Sequence, residues 1–298
     1  MIRLNIKNPK YITGPVFIVA FIFLFLTIFN YAGVINFISD NFYVYINQDT
    51  RIGVVAGEKT CNVESYRNNL NTYNYTMSED QRVIQTAIDE CGSGDVVLKS
   101  GKTYTTGPIL LKNNINLDLN GATISGSTDP AHYPDPRATY HTSNHYLIVA
   151  NQKTNTGVTG PGKIIHNVAG YYGSDDDNLN PNDVDIGGIM LNRSQNVWIR
   201  GVSGSQRLEM IGHSVGYHAV VGRSNGAVVE YVSVTGDMDS GGTDGIDIQS
   251  SSNVTYEDVY LNTYDDPLAI VAHGGFNTEH VNLNNITIDV NLIGAQHG

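Results

Sequence analysis

The chain has 298 residues, of which 41% are hydrophobic and 15% are charged, so its composition excludes a disordered protein. Its formal net charge is −12 and no run of Lys or Arg interrupts the excess of acid, which excludes nucleic acid as the expected partner. The 31 glycines beside only 9 prolines favour short strands and tight turns, and so predict an all-β protein.

The first predicted element is a membrane-spanning helix near the N-terminus. No charged residue occurs in residues 11–39, a stretch long enough to cross a bilayer, and residues 16–29 within it are almost wholly apolar. The cations Arg3, Lys7 and Lys10 precede this stretch. By the positive-inside rule they predict a cytoplasmic N-terminus and export of the rest of the chain.

The membrane segment divides the chain into three predicted parts. Residues 1–40 comprise a cytoplasmic tip and the spanning helix, residues 41–60 a linker, and residues 61–298 the exported domain. A cleavable signal peptide would show a shorter apolar core and a small-residue cleavage site, so an uncleaved signal anchor is favoured. The protein is therefore expected outside the cell, either anchored in the membrane or secreted.

The two cysteines, Cys61 and Cys91, both lie in the exported part, where oxidising conditions let disulfides persist. A bridge between them is predicted, with two unpaired buried thiols as the alternative. Four Asn-x-Ser/Thr sequons are compatible with export; they begin at Asn74, Asn192, Asn253 and Asn285.

One short amphipathic helix is predicted after the linker. Ser78 and Gln81 have the spacing of a capping box, and Gly92 follows the end of the pattern. The apolar face consists of Val83, Ile84, Ala87 and Ile88. We expect this helix to cover the N-terminal end of the β structure that follows.

Short strand patterns then recur to the end of the sequence. A small polar residue precedes an alternating apolar pattern in the segments that begin at Asn114, Asn196, Asn225, Asn253 and His280. The steps between Val197, Val228, Val254 and Val281 are about 31, 26 and 27 residues, a period typical of solenoids and propellers. No propeller-blade signature accompanies this loose period. A parallel β-helix is therefore predicted, with coils about 4.8 Å apart around an aliphatic core.

Carboxylates are dense in two segments, 242–248 and 262–270. Asp244 and Asp265 are 21 residues apart, close to one coil, so we expect them on neighbouring turns. Glycoside hydrolysis uses one protonated carboxyl group and one carboxylate, which lie about 6.5 to 9.5 Å apart in inverting enzymes. Crowded carboxylates raise one another's pKa, which helps to keep one protonated. The alternative is that these aspartates and Asp247 are turn residues. If Asp244 and Asp265 are catalytic, Asp247 is expected to support the site.

The motifs in these segments carry a resemblance to a known family. Thr243-Asp244-Gly245-Ile246-Asp247 and Asp265-Asp266 match Asn-Thr-Asp and Asp-Asp motifs in order and spacing, and Gln296-His297-Gly298 resembles a Gly-His-Gly motif. From about Cys61 to its end the sequence thus resembles the polygalacturonases, family 28 of the glycoside hydrolases. The resemblance implies a right-handed parallel β-helix that cleaves galacturonosidic bonds of an acidic polysaccharide with inversion.

The same resemblance implies roles for individual residues. Asp265 would be the general acid, Asp244 and Asp266 would activate water, and His297 would be an accessory group in the cleft. No metal or other cofactor is implied, and a monomer is expected. Gly242 stands where the family usually has Asn, at a position expected to contact substrate.

The family's Arg-x-Lys pair, which binds the substrate carboxylate, would lie beyond Gly298. His213 and His218 precede Asp244 and are expected to line the cleft, with buried structural histidines as the alternative. The cations available for an anionic sugar are Lys163, Arg193, Arg200, Arg207 and Arg223, which the sequence does not rank.

Two other functions stay open on the sequence. A non-catalytic β-helix could bind carbohydrate or adhere to a surface. Pectate lyase chemistry on the same architecture would need calcium and an arginine base. The acidic run 175–177 could bind calcium, but a solvated loop between coils is the favoured explanation. The Asp265-Asp266 doublet and His297 favour hydrolysis.

Overall fold

The computed structural model describes residues 59–133, 146–166, 186–212, 217–236, 244–263, 266–272 and 277–289. Within these ranges lie one α-helix, α1 (Glu79–Cys91), and two 3₁₀ turns (Val63–Tyr66 and Pro130–His132). The strands, in chain order, are β1 (Lys59–Asn62), β2 (Gly94–Val97), β3 (Thr103–Thr106), β4 (Ile109–Leu110), β5 (Ile115–Asp118), β6 (Thr123–Gly126), β7 (Tyr146–Asn151), β8 (Thr154–Thr159), β9 (Gly162–Ile165), β10 (Gly187–Asn192), β11 (Gln195–Arg200), β12 (Leu208–Gly212), β13 (Ala219–Gly222), β14 (Asn225–Glu230), β15 (Val232–Gly236), β16 (Ile246–Gln249), β17 (Ser252–Asn262), β18 (Leu268–Val271) and β19 (Glu279–Ile288).

The strands stack in parallel, coil upon coil. A six-stranded sheet has the order β18-β16-β13-β10-β7-β4, and each of its strands comes from a different coil. A 13-stranded sheet contains two further rows, which β17 joins because it pairs with both β14 and β15. This topology is a parallel β-helix and is consistent with the predicted right-handed form.

The predicted signal anchor, the acidic run 175–177 and all but the last two residues of the predicted linker lie outside the described residues. In the part of the chain that is described, no helix has the length and apolar character needed to cross a membrane.

The recurring strand motif is confirmed with one correction to its register. Val197 pairs with Ala227 and not with Val228. The residue before this inward apolar position takes a left-handed backbone, with φ of 51° at Asn196 and 73° at Gly226. Glycine and asparagine adopt this conformation at low cost, so Gly226, and not Asn225, marks the start of the repeat.

Inward side chains form a continuous apolar column through the coils. One column in the 13-stranded sheet runs, in paired register, through Val96, Leu117, Val158, Ile199, Val229 and Tyr256. All six side chains have no exposed surface. Each large apolar side chain so buried stabilises the fold by about 1.5 to 3 kcal/mol, which explains how a chain of short strands holds together.

The predicted capping helix is confirmed as α1, which packs against the first strands. Ser78 Oγ accepts from the Gln81 backbone N–H at 3.0 Å, as its capping-box spacing predicts. Two glutamines of α1 bind the open edge beside β4. Gln81 Nε2 donates to Pro108 O at 2.8 Å, and the Gln85 amide exchanges bonds of 2.9 and 3.0 Å with the backbone of Leu110. These side chains take the place of a further strand.

The predicted disulfide between Cys61 and Cys91 is confirmed. Their Cα atoms are 6.0 Å apart, and both residues are buried. The bridge joins β1 to the last residue of α1, so it fixes the cap to the start of the coil.

Replacing both Cys61 and Cys91 with serine is expected to lower the free energy of unfolding by about 3 to 4 kcal/mol, because the bridge limits the freedom of the unfolded chain. The closed loop spans a sequence separation of 30. Urea unfolding of the variant and of wild type measures the loss, and reduced wild type should match the variant. Equal midpoints for all three samples would contradict the prediction.

Candidate active site

Two of the predicted catalytic aspartates lie level with each other on neighbouring coils. Asp244 comes two residues before β16, and Asp266 two residues before β18. Because Ile246 pairs with Leu268, Asp244 is level with Asp266, one residue from the position expected for Asp265. Adjacent parallel strands lie about 4.8 Å apart, so the two aspartates stand one rung apart at the same edge of the six-stranded sheet.

Gly245 allows the two aspartate segments to approach each other. Its backbone N–H donates to Asp266 O at 2.9 Å, and the next N–H, of Ile246, donates to Pro267 O at 3.1 Å. A Cβ atom at Gly245 would overlap the carbonyl oxygen of Pro267. Only glycine fits this close approach, so Gly245 sets the spacing between the aspartates.

His218 lies on the coil that precedes Asp244 and has no exposed surface. Its Nδ1 is 2.7 Å from Asp244 O, which can only accept, so Nδ1 carries the proton. Burial lowers the pKa of His218 to about 4, although the carbonyls of Asp244 and Thr235 oppose that shift. The ring also packs edge-on against His166, with centroids 4.5 Å apart. This placement argues against direct substrate contact by His218 and favours the structural alternative, a neutral histidine that holds Asp244 in position.

Asp247 lies on β16 between two core residues, Ile246 and Ile248, so its side chain takes the opposite face of the strand. It is 2% exposed, and its Oδ2 accepts from Gln249 Nε2 at 3.0 Å. Its carboxylate thus orients the neighbouring Gln249, and a supporting role for Asp247 in catalysis stays a prediction.

A groove of about 320 Å³ lies on the outer face of the six-stranded sheet. Tyr146, Met190 and Val220 belong to an apolar cluster on this face and contribute apolar lining. Arg193 and Arg223 contribute the positive charge, and Gln249 lies among the polar lining residues. Through the bond from Gln249 to Asp247, the groove adjoins the strand that begins beside Asp244.

Four predicted site residues, Asp265, His297, His213 and Gly242, lie outside the described residues, and their roles stay predictions. The described residues contain no group of three or more His, Cys, Asp or Glu side chains that could hold a metal ion.

Sequence reasoning did not single out Tyr146 or Gln249, and it did not separate Arg193 and Arg223 from the other cations. The sequence carried a signal for the arginines, because an Arg-Ser pair recurs at Arg193-Ser194 and Arg223-Ser224. Each arginine directly follows a strand of the six-stranded sheet, and each has a left-handed backbone, with φ of 50° and 48°.

The sequence of this chain is similar to those of known proteins. Residues 93–298 match the family described as Glycosyl hydrolases family 28. The chain is 26% identical over 237 residues to an endo-polygalacturonase of Pectobacterium carotovorum subsp. carotovorum, with 72% of this chain covered. The alignment covers 56% of that protein, so the chain spans a little over half the length of this curated relative.

Solved structures share the β-helix. A polygalacturonase from Erwinia carotovora ssp. carotovora superposes with a TM-score of 0.55 at 22% identity, covering 79% of this chain and 65% of that one. A hyperthermoactive exopolygalacturonase from Thermotoga maritima has a TM-score of 0.56 at 16% identity, covering 78% and 63%. At these identities the likeness establishes the fold.

Proposed function

The chain belongs to glycosyl hydrolases family 28, and from that membership we propose that it hydrolyses α-1,4-galacturonosidic bonds in a pectin-like acidic polysaccharide. The observation that carries the proposal is the register of Asp244 with Asp266 on neighbouring coils, inside the matched region. Polygalacturonase is also the activity in the names of the relatives described above.

The proposed reaction is a single displacement with inversion at the anomeric carbon. Asp265 donates its proton to the glycosidic oxygen as the bond from that oxygen to the anomeric carbon breaks. Water attacks from the opposite face of the sugar, and Asp244 with Asp266 accepts its proton. Such a reaction needs the acid and base carboxyl groups about 6.5 to 9.5 Å apart, to leave room for water. His297 is proposed as an accessory group in the cleft.

Gly245 and His218 support this assignment because they hold the backbone of Asp244 and Asp266, the two residues proposed as the general base, in place. The bond from Gly245 N to Asp266 O fixes the backbone carbonyl of Asp266, and the bond from His218 Nδ1 to Asp244 O fixes that of Asp244. A base whose position is set before the substrate arrives loses little entropy in the transition state.

We propose an extracellular location for the protein. A disulfide closes the cap, and such bonds persist in oxidising compartments outside the cytosol. A pectic polysaccharide is likewise a substrate met outside the cell. Anchoring through residues 1–40 stays a prediction.

The products formed from polygalacturonate test the proposed function. We expect new reducing ends with no unsaturated, ultraviolet-absorbing ends, and proton NMR of the first product should show the inverted anomer. Unsaturated ends would indicate lyase chemistry instead. Binding with no product from any pectic substrate would favour a carbohydrate-binding β-helix.

A further inference from the structure

We propose that Arg193 and Arg223 form a carboxylate-binding ladder that holds consecutive uronic acid residues of the substrate along the six-stranded sheet. The inference deepens the proposed function, on which it rests, by naming residues that select an acidic over a neutral polysaccharide. The sequence leaves five cations unranked as partners of an acidic sugar.

Three of those cations are engaged on other faces of the coil. Lys163 forms an ion pair of 2.9 Å with Glu209, between β9 and β12 of the 13-stranded sheet. Arg200 has a side chain only 10% exposed and lies 3.5 Å from a carboxylate oxygen of Glu230. Arg207 donates to backbone carbonyl oxygens. None of the three lines the groove.

Arg193 and Arg223 occupy equivalent positions on neighbouring coils. Asn192 pairs with Gly222, and the Arg193 backbone N–H donates to Gly222 O at 2.8 Å, so the two arginines stand one rung apart. Both are exposed, and both line the groove. No ion pair joins Arg193 to a carboxylate among the residues that the structure describes. The backbones of the two arginines thus recur at the spacing of the coils, about 4.8 Å.

The groove suits a sugar chain in its other features. The floor of the groove is apolar and includes Tyr146, Met190 and Val220, which are only 3%, 4% and 4% exposed. Binding sites typically combine such an apolar lining with a few placed polar groups. Here those groups include the two arginines and Gln249, which is held by Asp247. Strand β16 connects this groove with the proposed catalytic residues, because Gln249 at its end lines the groove and Asp244 precedes its start.

A second groove continues the first towards the capping helix. It has a volume of about 410 Å³ and is lined by Tyr73, Asn151 and Lys153, among others. Asn192 Nδ2 donates to Asn151 Oδ1 at 3.1 Å and so joins the two linings. Lys153 extends the basic character of this face by one coil. A polymer of several uronic acid residues would have continuous surface to follow.

Charge explains why the ladder matters for an acidic substrate. The chain carries a formal net charge of −12, so a polyanion is repelled over most of its surface. An arginine fork binds a carboxylate through two parallel hydrogen bonds, which a neutral methyl ester cannot match. The two arginines thus give local attraction where the substrate must bind, and salt should weaken that attraction.

The test uses Arg193→Gln, Arg223→Gln and the double variant. Glutamine suits this backbone, because Gln152 already holds the equivalent position on the preceding coil with φ of 55°. Lys163→Gln is the matched control, since it removes one exposed cation far from the groove. Each protein is assayed for KM and kcat on polygalacturonate, and for equilibrium binding to polygalacturonate and to its fully methyl-esterified form.

Each arginine variant is expected to raise KM and to weaken binding of polygalacturonate by about three- to tenfold, with kcat little changed. The double variant should bind both polymers equally, and its binding should vary less with salt. Wild-type affinity in the double variant, or an equal loss in Lys163→Gln, would overturn the ladder. If wild type released no product but still bound the acidic polymer through the arginines, the proposed hydrolysis would fail and the ladder would stand.

Discussion

Replacing Asp265 with asparagine is expected to slow the hydrolysis of polygalacturonate by about 10²- to 10⁴-fold, the usual contribution of a general acid or base. An amide cannot give a proton to the leaving oxygen, yet it nearly matches a carboxyl group in volume. The fold should therefore survive while the chemistry stops. Asp244→Asn and Asp266→Asn are expected to be almost as damaging, because an amide cannot take the proton of the attacking water. Initial rates of reducing-end release from the natural full-length protein measure all three.

Asp258→Asn is the matched control for these substitutions. Asp258 has a left-handed backbone with φ of 53°, and Asn285 holds the equivalent position on the next coil with φ of 52°. Asparagine is therefore tolerated at that place in the coil, and activity should stay at the wild-type level. Circular dichroism verifies that each variant is folded. A folded Asp265→Asn protein with the wild-type rate would show that another group is the acid.

Gly245→Ala is expected to lower kcat/KM by about 10²-fold, the loss that a displacement of about 1 Å in an active site can cause. The added methyl group would overlap the carbonyl oxygen of Pro267, so the segments before β16 and β18 must separate. Their separation breaks the bond from Gly245 N to Asp266 O and moves Asp244 away from Asp266. Overpacking of this kind also costs about 1 to 3 kcal/mol of stability.

Gly204→Ala provides the comparison for the effect of a methyl group alone. A Cβ atom at Gly204 would meet nothing within 4 Å, and the residue lies in a turn on the 13-stranded sheet side. Its activity should equal that of wild type, and its unfolding free energy should change by less than about 1 kcal/mol. Steady-state kinetics and urea unfolding of both variants give the answer. A Gly245→Ala protein as active as Gly204→Ala would mean that the spacing of the aspartates is not critical.

The cap and the class of fold could be predicted because their signals are local in the sequence. The capping box at Ser78 and the apolar face after it define α1 within a few residues. The two cysteines of the chain leave a single possible bridge within it. The recurrence of a small polar residue before alternating apolar positions reflects the left-handed corner of each coil.

Register and side-chain direction could not be predicted, because the coils differ in length. Val96, Leu117 and Val158 are level in the structure. Along the sequence, however, the separation from Leu117 to Val158 is about twice that from Val96 to Leu117. With steps so unequal, an error of one residue changes which side chains share a face. The misplacement of Val228 and the burial of His218 both have this origin.

The hydrogen bonds of the capping helix affect whether a strand of a second molecule can pair with the first coil. Gln81 and Gln85 bind the backbone beside β4, while Asp80 accepts from Thr105 N in β3 and Ser78 donates to Thr105 O. Backbone groups of β3 and beside β4 that a foreign strand would need are thus already occupied. A neighbouring molecule must break several hydrogen bonds before it can add a strand there, so the helix protects this end against edge-to-edge aggregation.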